Sequence, residues 1–245
     1  MNNYTGSNYQ KWELIKVAEY FAVVNNYFDK GYYVNYGETS VASIAKLNSY
    51  MDTISARYLT LLGVQISRSN ATYYNSIIDT CKNGNVISSN LDTLCSHAEN
   101  HTGLEQVKSA FEDFTTPRNS ITRKVYWTGH RVTTPTSDNR SYCFANDFYM
   151  LEKSSSVDRD VDSIGIMVHE LNHTFGARDH YHEELINDNG TAYCRNKSIC
   201  SICGSNPRPA TCIMNNSRGR DISETDILCD TCKEDMLYYI LRHIN

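Results

Sequence analysis

The sequence predicts an α+β fold, a sheet with helices packed on it, and three observations predict it. Between Thr39 and Tyr58, Val41, Ile44, Ala45, Met51, Ile54 and Tyr58 recur at helical spacing, the signature of a helix with one buried face. Leu61 to Ile66 and Ile121 to Val132 are rich in β-branched and aromatic residues, which favour strands. A second helical stripe, Ile164, Met167, Val168, Leu171 and Phe175, follows late in the chain. No internal repeat or low-complexity linker divides the sequence, so it reads as one domain with a cleft.

In chain order, Trp12 to Val24 alternates loosely and reads as a strand or as a short amphipathic helix. Thr39 or Ser40 caps the first long helix, and Leu61 to Ile66 is the second strand. Ser67 to Gly103 is polar and holds Cys81, Cys95, His97 and His101; the spacing suits a Cys81–Cys95 disulfide across a surface loop better than a metal. A helix is expected over Leu104 to Phe114, ended by Pro117. Ile121 to Val132 is a strand with His130 as a polar residue at its end, and Ser141 to Leu151 is also extended. Asp160 or Asp162 caps the helix that bears the second stripe. Ser223 with Asp226 opens a final helix, whose apolar face is Leu228, Cys232, Leu237, Ile240, Leu241 and Ile244, with Tyr238 and Tyr239 as packing residues.

Composition excludes some function classes. The net charge is −5 and no cluster of Lys and Arg is present, so nucleic acid is not expected as a partner. No apolar run approaches the roughly 18 residues that span a bilayer. Of nine cysteines, Cys81, Cys95 and Cys143 are scattered, whereas Cys194, Cys200, Cys203, Cys212, Cys229 and Cys232 crowd the last third. Disulfides in a secreted or extracytoplasmic protein explain them, and Asn-x-Ser/Thr sequons such as Asn70, Asn139 and Asn172 suit that setting. The rival is a structural zinc on the Cys200-x2-Cys203 and Cys229-x2-Cys232 pairs, although the gap between the pairs exceeds the usual zinc-finger spacing. Asn2, Asn3, Tyr4 and Thr5 begin no signal peptide; a mature domain whose leader has been removed is expected, with a cytosolic chain as the alternative.

The stretch from His169 to His180, HELNHTFGARDH, concentrates the chemistry. On a helix of about 3.6 residues per turn, His169 and His173 project from one face, so both imidazoles reach one metal ion. Glu170 lies where it can orient a water but not ligate, the arrangement of a general base in H-E-x-x-H. Gly176 is placed to stop the helix in a left-handed conformation. The turn after it would bring Asp179 back to the metal as a third ligand, with His180 or His182 as alternatives. Downstream stands the triplet Cys212-Ile213-Met214.

Together these motifs resemble the metzincin metallopeptidases, and the order of elements looks like the adamalysin (reprolysin) branch. The resemblance implies a twisted, mixed five-stranded sheet with packed helices. It also implies an upper subdomain over 1–176 carrying the zinc helix and a small cysteine-rich lower subdomain over 177–245. Zn2+ is the implied cofactor, and the implied activity is endopeptidase cleavage of a protein or peptide substrate. Met214 would floor the metal site in a methionine turn, and Ser141 to Leu151 would be an edge strand that pairs with substrate. Asp179, where adamalysins have histidine, resembles the snapalysin variant of the third ligand. Less closely, the cysteines resemble those of archaemetzincins, intracellular peptidases with a second zinc, which Cys203, Cys212, Cys229 and Cys232 would hold here. A non-catalytic, metal-stabilised binding or adhesion domain is the alternative from another class, and Glu170 weighs against it. The sequence leaves the oligomeric state open.

Overall fold

The computed structural model of the chain describes residues 21–28, 32–33, 38–73, 121–128, 141–144, 147–151, 159–181, 184–186, 189–194, 199–200, 202–204, 209, 211–215 and 221–243. Expectations for Trp12 to Tyr20, for Cys81, Cys95, His97 and His101, for the helix at Leu104 to Phe114, and for His130, His182 and Ile244 lie outside these residues.

The chain forms two compact units, one of residues 18–159 and one that includes 160–245.

The first unit is built on β1 (Phe21–Phe28), the middle of a mixed open sheet. Ala22, Val24, Asn26 and Phe28 are buried on one face of β1, the two-residue period of a strand with one covered side. Helix α1 (Ser40–Leu62) returns the chain to β2 (Gln65–Arg68), which pairs parallel with Phe21 to Val24. The short β3 (Thr72–Tyr73) takes the next stretch of the same edge, at Tyr27 and Phe28. On the other edge lies β4 (Thr122–Thr128), parallel to β1. Beyond it come β6 (Asp147–Leu151), parallel to β4, and β5 (Tyr142–Phe144), antiparallel to β6. The sheet has six strands instead of the five expected, because the β1 edge is shared by β2 and β3. Ser141 to Leu151 is extended as expected, but as a hairpin whose first strand ends the sheet.

Helix α1 starts where its chemistry dictates. Thr39 Oγ1 accepts from Ala42 N at 3.2 Å, and Gly63 ends the helix in the left-handed region at φ 68. Leu61 and Leu62 therefore belong to the helix, a correction to the expected second strand, since the chain is free to leave the helix only at Gly63. The buried face runs through Ser43, Leu47, Tyr50, Met51, Ile54, Tyr58 and Leu62. Val41, expected in the core, is 74% exposed; the first turn buries Ser43 instead, which donates to Glu38 Oε2 at 3.4 Å. In the sheet, buried Trp127 donates its indole N–H to buried Asn26 Oδ1 at 2.9 Å, and Tyr32 and Tyr50 pack on its ring at 5.7 and 6.0 Å between centroids.

The second unit holds α2 (Arg159–Thr174), a hairpin of β7 (Glu184–Ile186) and β8 (Ala192–Cys194), and α3 (Asp230–His243). Asp160 and Asp162 lie inside the first turn of α2 and do not cap it; there they complement the positive end of the helix dipole. The last helix begins at Asp230, later than Ser223, because Asp221 and Glu224 hold the preceding segment in turns through Ser223 N, Glu224 N and Ile227 N. Its buried face is Cys232, Met236 and Ile240, three residues spaced four apart, with Met236 in place of Leu237. Tyr238 is exposed, with the Arg242 guanidinium 4.2 Å over its ring, so its expected packing role does not hold. No helix among the described residues is long and apolar enough to cross a membrane.

Candidate metal centre

From Met167 to Phe175 helix α2 buries nearly everything, polar residues included. Met167, Leu171 and Phe175 are fully buried, and His169, Glu170 and Asn172 are buried with them. Buried polar groups need partners, and here the partners make the site.

The helix ends in a Schellman arrangement. Ala177 N donates to Asn172 O at 3.1 Å and Gly176 N to His173 O at 3.0 Å, with Gly176 at φ 87. A side chain at Gly176 would be strained by that φ and would also meet Tyr239 of α3 at 3.3 Å. This turn directs Ala177 O at His173 Nδ1, 2.8 Å away. Similarly, Ile213 O lies 2.9 Å from His169 Nδ1. A carbonyl oxygen only accepts, so each Nδ1 carries the hydrogen and each Nε2 presents a lone pair.

Those two Nε2 atoms and one carboxylate oxygen converge. His169 Nε2 and His173 Nε2 are 3.2 Å apart, and Asp179 Oδ1 is 3.1 Å from the first and 3.3 Å from the second. Three acceptor lone pairs facing one another at such distances repel unless a cation joins them. Zinc bonds of about 2.0 to 2.1 Å in a tetrahedron put ligand atoms about 3.3 Å apart, so the triangle fits zinc with a fourth position left over. Donor hydrogens on the far side of both imidazoles are the usual outer support of zinc-binding histidines. Tyr181 Oη supports the carboxylate, donating to Asp179 Oδ2 at 3.1 Å.

Without a metal, His173 holds a proton in that place. Burial disfavours the imidazolium of His173, yet the Asp179 carboxylate, with Glu170 and Ala177 O, outweighs it and raises its pKa to about 9. For Asp179 burial pushes upward, but the hydrogen bonds and charges of His169 and His173 hold it well below the usual carboxylate range. Burial pushes the Glu170 carboxyl up, against the pull of both imidazoles.

Beneath the triangle, Cys212, Ile213 and Met214 are fully buried in a turn. Asn172 Nδ2 donates to Met214 Sδ at 3.5 Å, and His180 N donates to Met214 O at 3.0 Å. Asn172, noted in the sequence as a sequon, is thus an inward-facing residue at 1% exposure, inaccessible to a glycan.

His180 does not join the triangle. Its Nε2 lies 3.2 Å from Cys232 Sγ, in a second cluster of His180, Cys212, Cys229 and Cys232. Asp179 turns its carboxylate towards the two imidazoles, and the next side chain turns the other way. Cys212 Sγ and Cys232 Sγ are 3.9 Å apart, against about 3.8 Å for thiolates on one tetrahedral zinc with bonds of about 2.3 Å. Cys229 N donates to Cys212 Sγ at 3.4 Å. Hydrogen bonds from Cys212 and Cys232 hold the Cys229 thiol down at about 2, while their own thiols are pushed up. Both donor sets suit zinc. Cys203, expected in this second set, lies instead with Cys194 and Cys200, and His180 completes the site. No disulfide links Cys143, Cys194, Cys200, Cys203, Cys212, Cys229 or Cys232.

Sequence reasoning placed His169, Glu170, His173, Gly176, Asp179 and Met214, and the structure brings them together in the second unit. It missed Tyr181 and the carbonyls of Ala177 and Ile213; no motif marks a carbonyl, and a lone tyrosine after Asp179 gives no signal, whereas Tyr239, expected as a packing residue, lies beside Gly176.

No family model matches the chain, and no curated protein matches it. Among solved structures it is similar to a zinc-dependent peptidase from Methanocorpusculum labreanum, at 11% identity and a TM-score of 0.40, over 87% of this chain and 99% of that one. It is also similar to archaemetzincin from Methanopyrus kandleri, at 12% identity and a TM-score of 0.42, over 90% and 95%. Both scores are low, so the functional reading rests on the site's own atoms.

Proposed function

We propose that this chain is a zinc-dependent endopeptidase acting on protein or peptide substrates, with His169, His173 and Asp179 as metal ligands and Glu170 as general base. The observation that carries the reading is the triangle of Nε2, Nε2 and Oδ1 atoms at 3.1 to 3.3 Å, with a buried carboxylate on the residue after the first histidine. Zinc bound there would supply Lewis acidity to a peptide carbonyl and acidify a coordinated water.

The chain's own residues do the rest. Ile213 O and Ala177 O hold the two imidazoles in the ligating tautomer, so metal binding needs no rearrangement of protons at Nδ1. Tyr181 fixes the Asp179 carboxylate through Oδ2 and leaves Oδ1 for the site. Glu170 takes a proton from the attacking water and passes it to the departing amine. Its raised pKa, caused by burial, moves it towards neutrality, where one carboxylate can both accept and release a proton. Met214, packed against Asn172, is the floor of a methionine turn and not a ligand. A non-catalytic, metal-stabilised domain would have no use for a buried carboxylate at position 170, because such a group costs free energy unless it serves the site.

The second cluster favours the archaemetzincin-like form of this reading over the adamalysin-like one. His180, Cys212, Cys229 and Cys232 offer four ligands of the kinds found in closed structural zinc sites. Thiols used this way suit a reducing compartment, so an intracellular setting is proposed in place of the extracytoplasmic one.

One set of variants tests both sites. Glu170→Gln is expected to keep its zinc and lose cleavage of a denatured protein substrate by at least about a hundredfold, the usual scale of general acid–base catalysis. Cys229→Ser is expected to lose one zinc by native mass spectrometry while the His169 site stays filled. Wild-type turnover by Glu170→Gln under zinc-replete conditions would remove the catalytic assignment.

A further inference from the structure

We infer that Cys194, Cys200 and Cys203 form a third metal site, one that takes zinc through three thiolates and serves to fix the β7–β8 hairpin. This goes beyond the peptidase reading and does not depend on it.

The three sulfurs lie within 4.8 Å of one another with no disulfide among them. They come from two local structures with nothing in common in sequence. Cys194 is the last residue of β8, opposite Glu184 in the hairpin. Cys200 and Cys203 flank a tight turn closed by Gly204 N donating to Cys200 O at 3.0 Å. Within that turn both Ile202 N and Cys203 N donate to Cys200 Sγ at 3.4 Å. Two backbone N–H groups aimed at one sulfur stabilise a thiolate, since hydrogen bonding to the charged form favours it.

Burial sharpens the point. Cys200 is fully buried and Cys194 nearly so, whereas Cys203 is exposed. Burial keeps such thiols neutral unless a cation compensates the charge of the thiolates, and no other His, Cys, Asp or Glu among the described residues is grouped with these three. A tetrahedral zinc with bonds of about 2.3 Å spaces its sulfurs about 3.8 Å apart, a separation the cluster accommodates with small shifts. Soft thiolate sets select zinc, copper(I) or iron–sulfur clusters over the hard cations. The fourth position falls to a donor other than these three cysteines. The Cys229 N to Cys212 Sγ bond repeats the same N–H to sulfur device at the second cluster.

The experiment is metal counting by native mass spectrometry on the full chain, purified reduced and with zinc present. Cys203→Ser is expected to hold one zinc ion fewer than the wild type, which holds three when the two other sites are also filled. Because Cys203 is exposed, its serine variant keeps the fold, which circular dichroism checks. Cys194→Ser is expected to lose the same single zinc, and Cys194→Ser with Cys203→Ser no more than one. An unchanged count in Cys203→Ser, or a disulfide within the trio revealed by a two-hydrogen mass deficit, would overturn the third site. His169→Ala and Cys229→Ser, counted alongside, separate the sites: a chain that loses zinc with those substitutions but not with Cys203→Ser keeps the peptidase reading and sinks this one, and the converse pattern does the reverse.

Discussion

Replacing Gly176 by alanine attacks the centre through its backbone, without touching a ligand. Gly176 sits at φ 87, and an L-residue pays about 1 to 2 kcal/mol to adopt the left-handed region. The new methyl group would also lie 3.3 Å from both Cβ and Cδ2 of Tyr239, and forced overpacking of this kind costs about 1 to 3 kcal/mol. The expected total is about 3 kcal/mol, which for a chain of this size lowers the thermal midpoint by roughly 9 °C at about 3 °C per kcal/mol. Differential scanning calorimetry of the zinc-saturated protein reads the shift. A double-mutant cycle then splits it, because adding Tyr239→Ala removes the ring's share of the clash and leaves the contact with Cβ and the backbone part. Zinc affinity is expected to fall as well, since the same turn carries Ala177 O to His173 and Asp179 to both imidazoles. A midpoint within about 1 °C of wild type, well under the shift expected from the backbone part alone, or a cycle without coupling between positions 176 and 239, would refute this account.

Two further outcomes concern the site's supports. Tyr181→Phe removes the donor to Asp179 Oδ2; outer-shell losses of this kind typically weaken metal binding or activity about 10- to 100-fold, so zinc affinity by competition with a chromophoric chelator should drop on that scale, and an unchanged affinity would leave Tyr181 without a role. In chelator-stripped protein, the raised pKa of His173, about 9 against 6.5, contributes stability that is fully present below about pH 6.5 and is lost as the pH rises through 9. Glu170, also raised, acts in the same direction, whereas Asp179, held below 3.8, contributes above that value and loses it on acidification. The thermal midpoint of the stripped protein should therefore decline between about pH 6.5 and 9, a decline that saturating zinc abolishes because the metal replaces the proton; a flat profile in that range would contradict the assignment.

How much of this was legible depends on whether the information was local. The H-E-x-x-H spacing, the glycine stop and Asp179 follow from helix geometry and backbone freedom alone, and each is where the sequence predicts it. The α1 cap at Thr39 was equally local. The division of the β1 edge between β2 and β3, and the burial of Ser43 in place of Val41, depend on neighbours distant in sequence, so no window of residues could reveal them. The cysteines misled for a related reason. Their spacing favoured disulfides or a set that included Cys203, whereas the fourth member of the second cluster is a histidine adjacent to a ligand of the first. Reading His180 as a rival for the first site was natural, because position along the chain does not show which way a side chain turns after a Schellman stop.

Asp179 and His180 share one peptide unit, yet their side chains enter different clusters, and His180 N is held by Met214 O. The carboxylate's position is therefore a property of a strut fastened between two anchoring points, not of a free loop end. An aspartate has a shorter reach than a histidine, and a strut fastened so close to it removes the slack that would otherwise make that shortness a defect.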